Sequence, residues 1–475
     1  MLNRLKSAVI GAVSGLEATN GATDGVQYNK ASLAPKFPYG RPHFLGLGDD
    51  EVQMSADHKL RPIIHPSKPL PYNTGYAECV NAGKSRWNED QAVYRQGVLS
   101  KVTQTDVGHV QKFSIPYTYY GIFDGHAGVG AALCAANQLH HIIHEKLVDA
   151  QDDIWIHFTE KHLPTTKHRD LLIIGALESA FREMDQLLLE DRNKYQAAGG
   201  CTAIVSLLIL GKLYVANAGD SRGIICKGEK FVPMSMDFTP ENERDRIRRL
   251  AQEQPALLGK EFTCKEYLSQ PRPGDLGKTV MFRDAYMKGW AYKTLQPEDL
   301  KVSVITGHGK RSRVMGTIGV TRGFGDHDLI AVYQKLPIKP FLSSHPEVQV
   351  HSLTPTENNE VLVMATDGLW DVMDGSKAAE IIAKSLTAFE DKKFVSAATC
   401  LVGYARGSLS NSWQLKGGKP ASCDDISVFV IPLLPYKLEY EELLQKCSST
   451  DSKDSCIEVS QVENNGEASK EISEC

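Results

Sequence analysis

Several features that would settle the class of a protein at once are missing from this sequence. Among its 475 residues no apolar run approaches the roughly 18 residues of a membrane-spanning helix. The ten cysteines, scattered from Cys79 to Cys475, form no CxxC pair and no His/Cys zinc spacing. They read as small buried apolar groups or stray thiols, which suits a reducing compartment. The N-terminus has neither the long apolar stretch nor the small-residue cleavage site of a signal peptide. Neither sign of charge dominates: 53 Lys and Arg face 58 Asp and Glu, for a net charge of −5, so nucleic acid is not an expected partner. The expectation is a cytoplasmic protein, with nuclear residence and partial membrane association left open. What is present is ordinary soluble composition, 42% hydrophobic and 23% charged, on a chain long enough to bury a substantial core.

Composition shifts divide the chain. In segment 1–18, Leu2, Leu5, Val9, Ile10, Val13 and Leu16 recur at helical spacing beside Arg4 and Lys6, a short amphipathic helix suited to peripheral contact with a membrane or a partner. Gly11 and Gly15 weaken it, and fraying or packing on its own domain is the alternative. Segment 19–70 is rich in Gly, Pro and His without periodicity, an irregular lead-in. Segment 435–475 is crowded with Ser, Glu, Lys and Asn and predicts a disordered acidic, Ser-rich tail after one short helix. The ordered domain is expected over 71–434.

Within it, β-rich apolar runs stop at acidic residues. Tyr117 to Phe123 ends at Asp124, Lys212 to Ala218 leads to Gly219-Asp220, and Val361 to Ala365 leads to Thr366-Asp367. Asp424 and Asp425 immediately precede the apolar run Ile426 to Ile431. Helical patterns cover Val129 to Val148, Leu171 to Leu189 and Lys377 to Ala388. Strand runs interspersed with long helices argue for an α+β class, sheets at the core and helices outside. Strict βαβ alternation is absent, which makes a doubly wound nucleotide-binding fold the weaker expectation.

A single Asp after a strand is usually a turn former or a helix cap. Here the acids recur in glycine-containing turns, where a backbone can approach a ligand or another backbone. If these turns meet at one edge of the sheets, the carboxylates repel unless protons or cations neutralise them. All-oxygen ligands favour Mg²⁺ or Mn²⁺ over zinc or copper.

Seven motifs in order, Asn88-Glu89-Asp90, Phe123-Asp124-Gly125-His126-Ala127-Gly128, Gly200-Cys201-Thr202-Ala203, Ala218-Gly219-Asp220-Ser221-Arg222, Gly319 to Asp326, Thr366-Asp367-Gly368-Leu369-Trp370-Asp371 and Asp424 to Val428, resemble the series of the PPM family, the metal-dependent type 2C protein phosphatases. Phe37 to Arg41, Tyr76-Ala77-Glu78 and Ile338 to Ser343 further resemble the animal subgroup lettered H, J and M. The resemblance implies a β-sandwich of two antiparallel sheets flanked by α-helices, with two metal ions at one end. It implies hydrolysis of phosphoserine and phosphothreonine in phosphoprotein substrates by direct attack of water. Carried over, Asp124 bridges the ions, Glu89 and the Gly125 carbonyl hold one, and Asp367 and Asp424 hold the other. A weaker third ion uses Asp220 and Asp371 with Asp367, and His126 is the general acid or, alternatively, a group that orients a ligand.

Two departures stand out. The family commonly has an arginine three positions before the Asn88 slot; here that position is Ser85, flanked by Lys84 and Arg86, either of which is a candidate phosphate-binding cation. Between Asp237-Phe238-Thr239-Pro240 and Thr317-Ile318-Gly319 lie about 75 residues where the family needs fewer. This insertion, 241–313, carries Arg272, Arg283, Lys288, Lys293, Lys310, Arg311 and Arg313 with Trp290 and Tyr292, and reads either as a flap that selects the substrate or as a solvated elaboration. Two rivals remain: a pseudophosphatase that binds phosphoproteins, disfavoured because the six metal carboxylates are retained, and a two-metal hydrolase of small phosphate esters, disfavoured by the motif series. Oligomeric state is outside the reach of these patterns.

Overall fold

Apolar strands without polar alternation arise where a sheet is covered on both faces, because alternate side chains then enter two different cores. In Val361–Ala365, Leu362 and Met364 point into a core between two sheets, while Val361, Val363 and Ala365 pack under helices. Ile426–Pro432 splits the same way, Phe429 and Ile431 inward and Ile426, Val428 and Val430 outward.

The computed structural model describes residues 36–104, 110–159, 166–190, 199–331, 335–388 and 392–449. The expected amphipathic segment 1–18 and most of the expected tail lie outside them. The main strands are β1 (Ile63–Ile64), β2 (Gly75–Cys79), β3 (Gln91–Gln104), β4 (Val110–Phe123), β5 (Ala203–Ile209), β6 (Lys212–Ala218), β7 (Arg222–Lys227), β8 (Lys230–Pro233), β9 (Glu347–Ser352), β10 (Val361–Ala365) and β11 (Ile426–Pro432). They form two antiparallel sheets, ordered β1-β2-β11-β10-β7-β8 and β9-β6-β5-β4-β3. Helices α1 (Gly130–Asp149) and α2 (Thr166–Glu190) cover the second sheet, α3 (Arg244–Glu253) lies in the insertion, α4 (Gly375–Ala388) and α5 (Lys393–Arg406) cover the first sheet, and α6 (Leu434–Ser449) follows β11. The protein is therefore an α+β four-layer sandwich. No described helix is long and apolar enough to cross a membrane.

Ordered elements continue on both sides of 71–434. The lead-in contributes β1, and Arg61 is fully buried, donating to the carbonyls of Val80, Ser422 and Asp424 at 2.7, 2.6 and 2.8 Å. A stretch without apolar periodicity is thus ordered by arginine side chains that satisfy buried carbonyls, which a hydrophobic pattern does not reveal. At the other end α6 extends to Ser449, seating Tyr436 with its hydroxyl 2.6 Å from that of Tyr120.

The insertion has a core of its own, with Ile247, Leu258, Phe262, Val304 and Ile305, and a small sheet of Glu266–Tyr267, Thr279–Arg283 and Ala291–Thr294. Glu243 fastens its base to the following loop, accepting from Thr321 at 2.9 Å and pairing with Arg322 at 2.7 Å.

Candidate active site

The register of the sheets brings the acidic turns to one end of the sandwich. Gln91 pairs with Phe123, so Glu89 and Asp124 leave adjacent strands side by side. Ala203 faces Ala218, placing Thr202 and Gly219 together, and Ala365 lies between Arg222 and Val428, bringing Asp367, Asp220 and Asp424 to the same rim. Two glycines permit the closeness. A Cβ on Gly125 would stand 2.6 Å from the Glu89 carbonyl oxygen, and one on Gly368 would run into the carbonyl of Asp425. Asp367 and Asp371 are one helical turn apart, with the Asp371 amide donating to the Asp367 carbonyl at 2.7 Å, so their side chains share a face.

Electrostatics show how tightly the acids crowd. Burial, and then Asp367, Asp90, Asp424 and Asp220, push the Asp124 carboxyl well above the usual range. Burial, Asp220 and Asp424 do the same to Asp367, and Asp220 is pushed up to about 7 by burial, with Asp237 and Asp371 adding to it. Glu89 is raised by burial, against the Gly128 amide, which donates to its Oε1 at 2.8 Å. Such an assembly favours protons or cations over its own ionised state.

Its chemistry fits a hard divalent cation: the donors are all oxygen, and Asp90, absent from the sequence-derived ligand set, presents a buried Oδ1 with no hydrogen-bond partner among the described residues. Among those residues, no three His, Cys, Asp or Glu side chains close into a ready-made cage. Instead ammonium groups sit on the outer acids. Lys84 pairs with Asp424, and Lys310 from the insertion donates to the Asp371 carboxylate at 2.8 Å and its carbonyl at 3.0 Å.

The two candidate phosphate cations part company. Lys84 enters the cluster, while Arg86 lies over the Trp87 ring, 4.9 Å from its centre. Ser85 turns inward, donating to the Trp87 carbonyl at 2.6 Å.

His126 lies on a short strand, Gly125–His126, which pairs with Gly200–Cys201 and through it with Phe324–Gly325. That arrangement sets its Nε2 2.7 Å from Asp326 Oδ2, with the carboxylate 3% exposed and the ring 35% exposed. Burial works against the imidazolium, but Asp326 outweighs it and raises the His126 pKa. Sequence reasoning gives Asp326 no role, although it closes a glycine-rich turn of the same kind as the other acids. It also misses Asp425, whose carboxylate accepts from the Glu89 amide at 3.0 Å and the Asn81 amide at 2.7 Å.

Comparison with known proteins gives the family. The family model for protein phosphatase 2C matches residues 94–255 and 298–412, skipping 256–297 within the insertion. Human protein phosphatase 1H is 41% identical over 91% of this chain and 99% of its own. Rat protein phosphatase 1J is 42% identical over 83% of this chain and 86% of its own. A crystal structure of serine-threonine phosphatase 2C from Toxoplasma gondii, at 17% identity and a TM-score of 0.43, covers 78% of this chain and 99% of that one, too weak a likeness to add to the fold. The chain belongs to the protein phosphatase 2C family of serine/threonine phosphatases, in the subgroup of the 1H and 1J proteins.

Proposed function

We propose that the protein hydrolyses phosphoserine and phosphothreonine in protein substrates with the help of two Mg²⁺ or Mn²⁺ ions and a weaker third. The observation that carries this is the convergence of Glu89, Asp124, Asp220, Asp367 and Asp424 on one end of the sandwich, with raised carboxyls where they crowd most. When bound, the ions supply a water of lowered pKa and offset charge on the phosphate oxygens. Asp124 would be shared by the two ions, Glu89 and the Gly125 carbonyl would hold one, Asp367 and Asp424 would hold the other, and Asp220 and Asp371 with Asp367 would serve the third. Lys84 exchanges its Asp424 partner for a phosphate oxygen as a point cation in the place of the missing arginine. His126, whose imidazolium form Asp326 favours, donates to the leaving alkoxide. No phosphoenzyme is needed, because the nucleophile is water.

Phosphopeptide turnover should require added Mn²⁺ and stop in EDTA. Turnover indifferent to EDTA would remove the metal assignment, and metal binding without turnover would favour a phosphoprotein-binding pseudophosphatase.

The insertion serves as a substrate-selecting flap. Its sheet presents Tyr292, 72% exposed, the turn before that strand presents Tyr286, 62% exposed, and Arg283 lies over the Trp290 ring at 4.9 Å, while Lys310 reaches the site itself. Tyr286→Ala with Tyr292→Ala should lower kcat/KM on the protein substrate and spare p-nitrophenyl phosphate. Equal rates on both in the variant and the native enzyme would leave the insertion as a solvated elaboration. The protein is placed in the cytoplasm on composition alone, and segment 1–18 remains a proposed membrane contact.

A further inference from the structure

We propose that Arg41 is a positioning residue that fixes Glu89 for its cation; the proposal rests on the assignment of Glu89 as a ligand. Arg41 and Glu78 form an ion pair in which both side chains are 1% exposed. Arg41 Nε and Nη2 donate to the two Glu78 oxygens at 2.7 and 2.8 Å, the planar fork geometry peculiar to arginine. The third nitrogen, Nη1, points elsewhere. It donates to the carbonyls of Asn88 at 3.2 Å and Asp90 at 2.7 Å, the residues on either side of Glu89.

The fork is anchored to the sheet. Glu78 lies in β2 opposite Ser427 of β11, and the Tyr76 hydroxyl donates to its Oε2 at 2.6 Å. The turn that carries Glu89 is thus tied through one guanidinium to the six-stranded sheet, which also carries Asp367 and Asp424 at its rim. Asp425 holds the Glu89 amide and Gly128 its carboxylate. With both flanking carbonyls gripped, little backbone freedom is left for Glu89 to swing away from the neighbouring acids that repel it. A structural ion pair would need only Glu78; the grip on two carbonyls around a ligand is the additional feature. Groups that orient a metal ligand from behind typically change affinity by roughly 10- to 100-fold when removed.

Two variants separate this role from plain folding. Arg41→Lys keeps a charge for Glu78, but one ammonium cannot make the fork and reach both carbonyls. The double variant Arg41→Met with Glu78→Met replaces a buried pair by apolar volume, which commonly preserves stability. The full chain is titrated with Mn²⁺ by calorimetry, with thermal melts and with kcat and KM measured at limiting and saturating Mn²⁺. Both variants should melt cooperatively, bind Mn²⁺ about 10- to 100-fold more weakly, and recover most of kcat when Mn²⁺ saturates. Native Mn²⁺ affinity in either folded variant overturns the proposal, as does failure of both to fold, which would make Arg41 a folding residue. Glu89→Gln is the control: native Mn²⁺ affinity there would overturn the ligand assignment itself rather than the role of Arg41.

Discussion

The sandwich and the insertion are held together by different forces. In the sandwich, three apolar cores carry the packing, a few opposite-sign pairs such as Arg41–Glu78 lie buried among them, and its largest concentration of charge is a like-charged cluster at one end that works against the fold. The insertion has one small core and gathers its charges into opposite-sign hubs. Asp299, 2% exposed, takes Lys293 at 2.6 Å, Tyr267 at 2.7 Å and Lys265 at 3.3 Å. Glu266 takes Arg283 at 2.5 Å and Arg244 beside it. Apolar burial is not weakened by charge screening or by titration, so the part that must hold reacting groups to within fractions of an ångström is built mainly from it. Ion pairs respond to both, so the part that meets the substrate is the part the medium can loosen.

The largest effect is expected at the carboxylate end. Asp124→Ala and Asp367→Ala should each lower turnover by at least about a thousandfold, several kcal/mol of barrier, while melting no lower than the metal-free native protein. Relief of repulsion is the reason for the second half: each removed carboxylate leaves fewer like charges. A variant with near-native turnover at saturating Mn²⁺ would show that the acids are a structural cluster.

His126→Ala comes next. Phosphoserine expels a strongly basic alkoxide, so loss of the general acid should slow phosphopeptide hydrolysis by roughly 10²- to 10⁴-fold. The p-nitrophenolate of an aryl phosphate leaves without such help and should be much less affected. Equal losses on both substrates would make His126 an orienting group, and a loss reversed by more metal would place it in the metal site.

How far these features were legible in the sequence follows the same division. Strand ends at Phe123, Ala218 and Ala365 fall where the apolar runs stop, because two-sided burial writes each strand as an uninterrupted apolar word. Helix α1 differs from its pattern by one residue at each end, and α4 starts two residues early and ends at the expected Ala388, because their buried stripes are periodic. Arg41, Arg61, Asp326 and Asp425 were not legible as parts of the site. Each acts by reaching a group distant in the chain, 37 residues for Arg41 and Glu78, 200 for His126 and Asp326, 336 for Asp425 and Glu89, and 363 for Arg61 and Asp424, and no local pattern marks the partner. The hubs of the insertion are hidden likewise, since its charge pattern read only as basic.

Acid sharpens the contrast between the regions. Burial would raise the Asp299 carboxyl, but Lys293, the Gln296 amide, Tyr267 and Lys265 overcome it and hold it below the usual range, and Arg322 and Arg246 do so for Glu243. A carboxyl depressed on folding contributes stability that is present above its unfolded pKa, about 4, and lost as pH falls through the folded value. For Asp124 and Asp367 the sign is reversed: raised on folding, they favour the metal-free fold as pH falls. Hydrogen exchange between pH 6 and pH 2, corrected for intrinsic rates, should show the insertion opening before β5 or β10. Asp299→Ala should open it at neutral pH, at a cost of about 2 to 4 kcal/mol. Simultaneous opening of both regions would mean that they form one cooperative unit.

The smallest effect is expected where the two regions touch, at Lys310 and Asp371. Their side chains are 68% and 53% exposed, so water and salt screen the pair and its removal should change stability by less than about 1 kcal/mol. Its consequence lies in competition. The ammonium is on the carboxylate assigned to the weak third cation, and an ion entering there must displace it. Lys310→Gln removes that competitor, and an interaction of about 1 kcal/mol translates into at most about a fivefold gain in affinity of the weakest Mn²⁺ site. The gain should shrink when salt is raised to 0.5 M, because screening already weakens the native contact. Calorimetric titration of Lys310→Gln and the native protein at low and high salt measures both. Weaker binding in the variant would mean that Lys310 supports the cation site, and a gain independent of salt would point to movement of the insertion rather than loss of a charge.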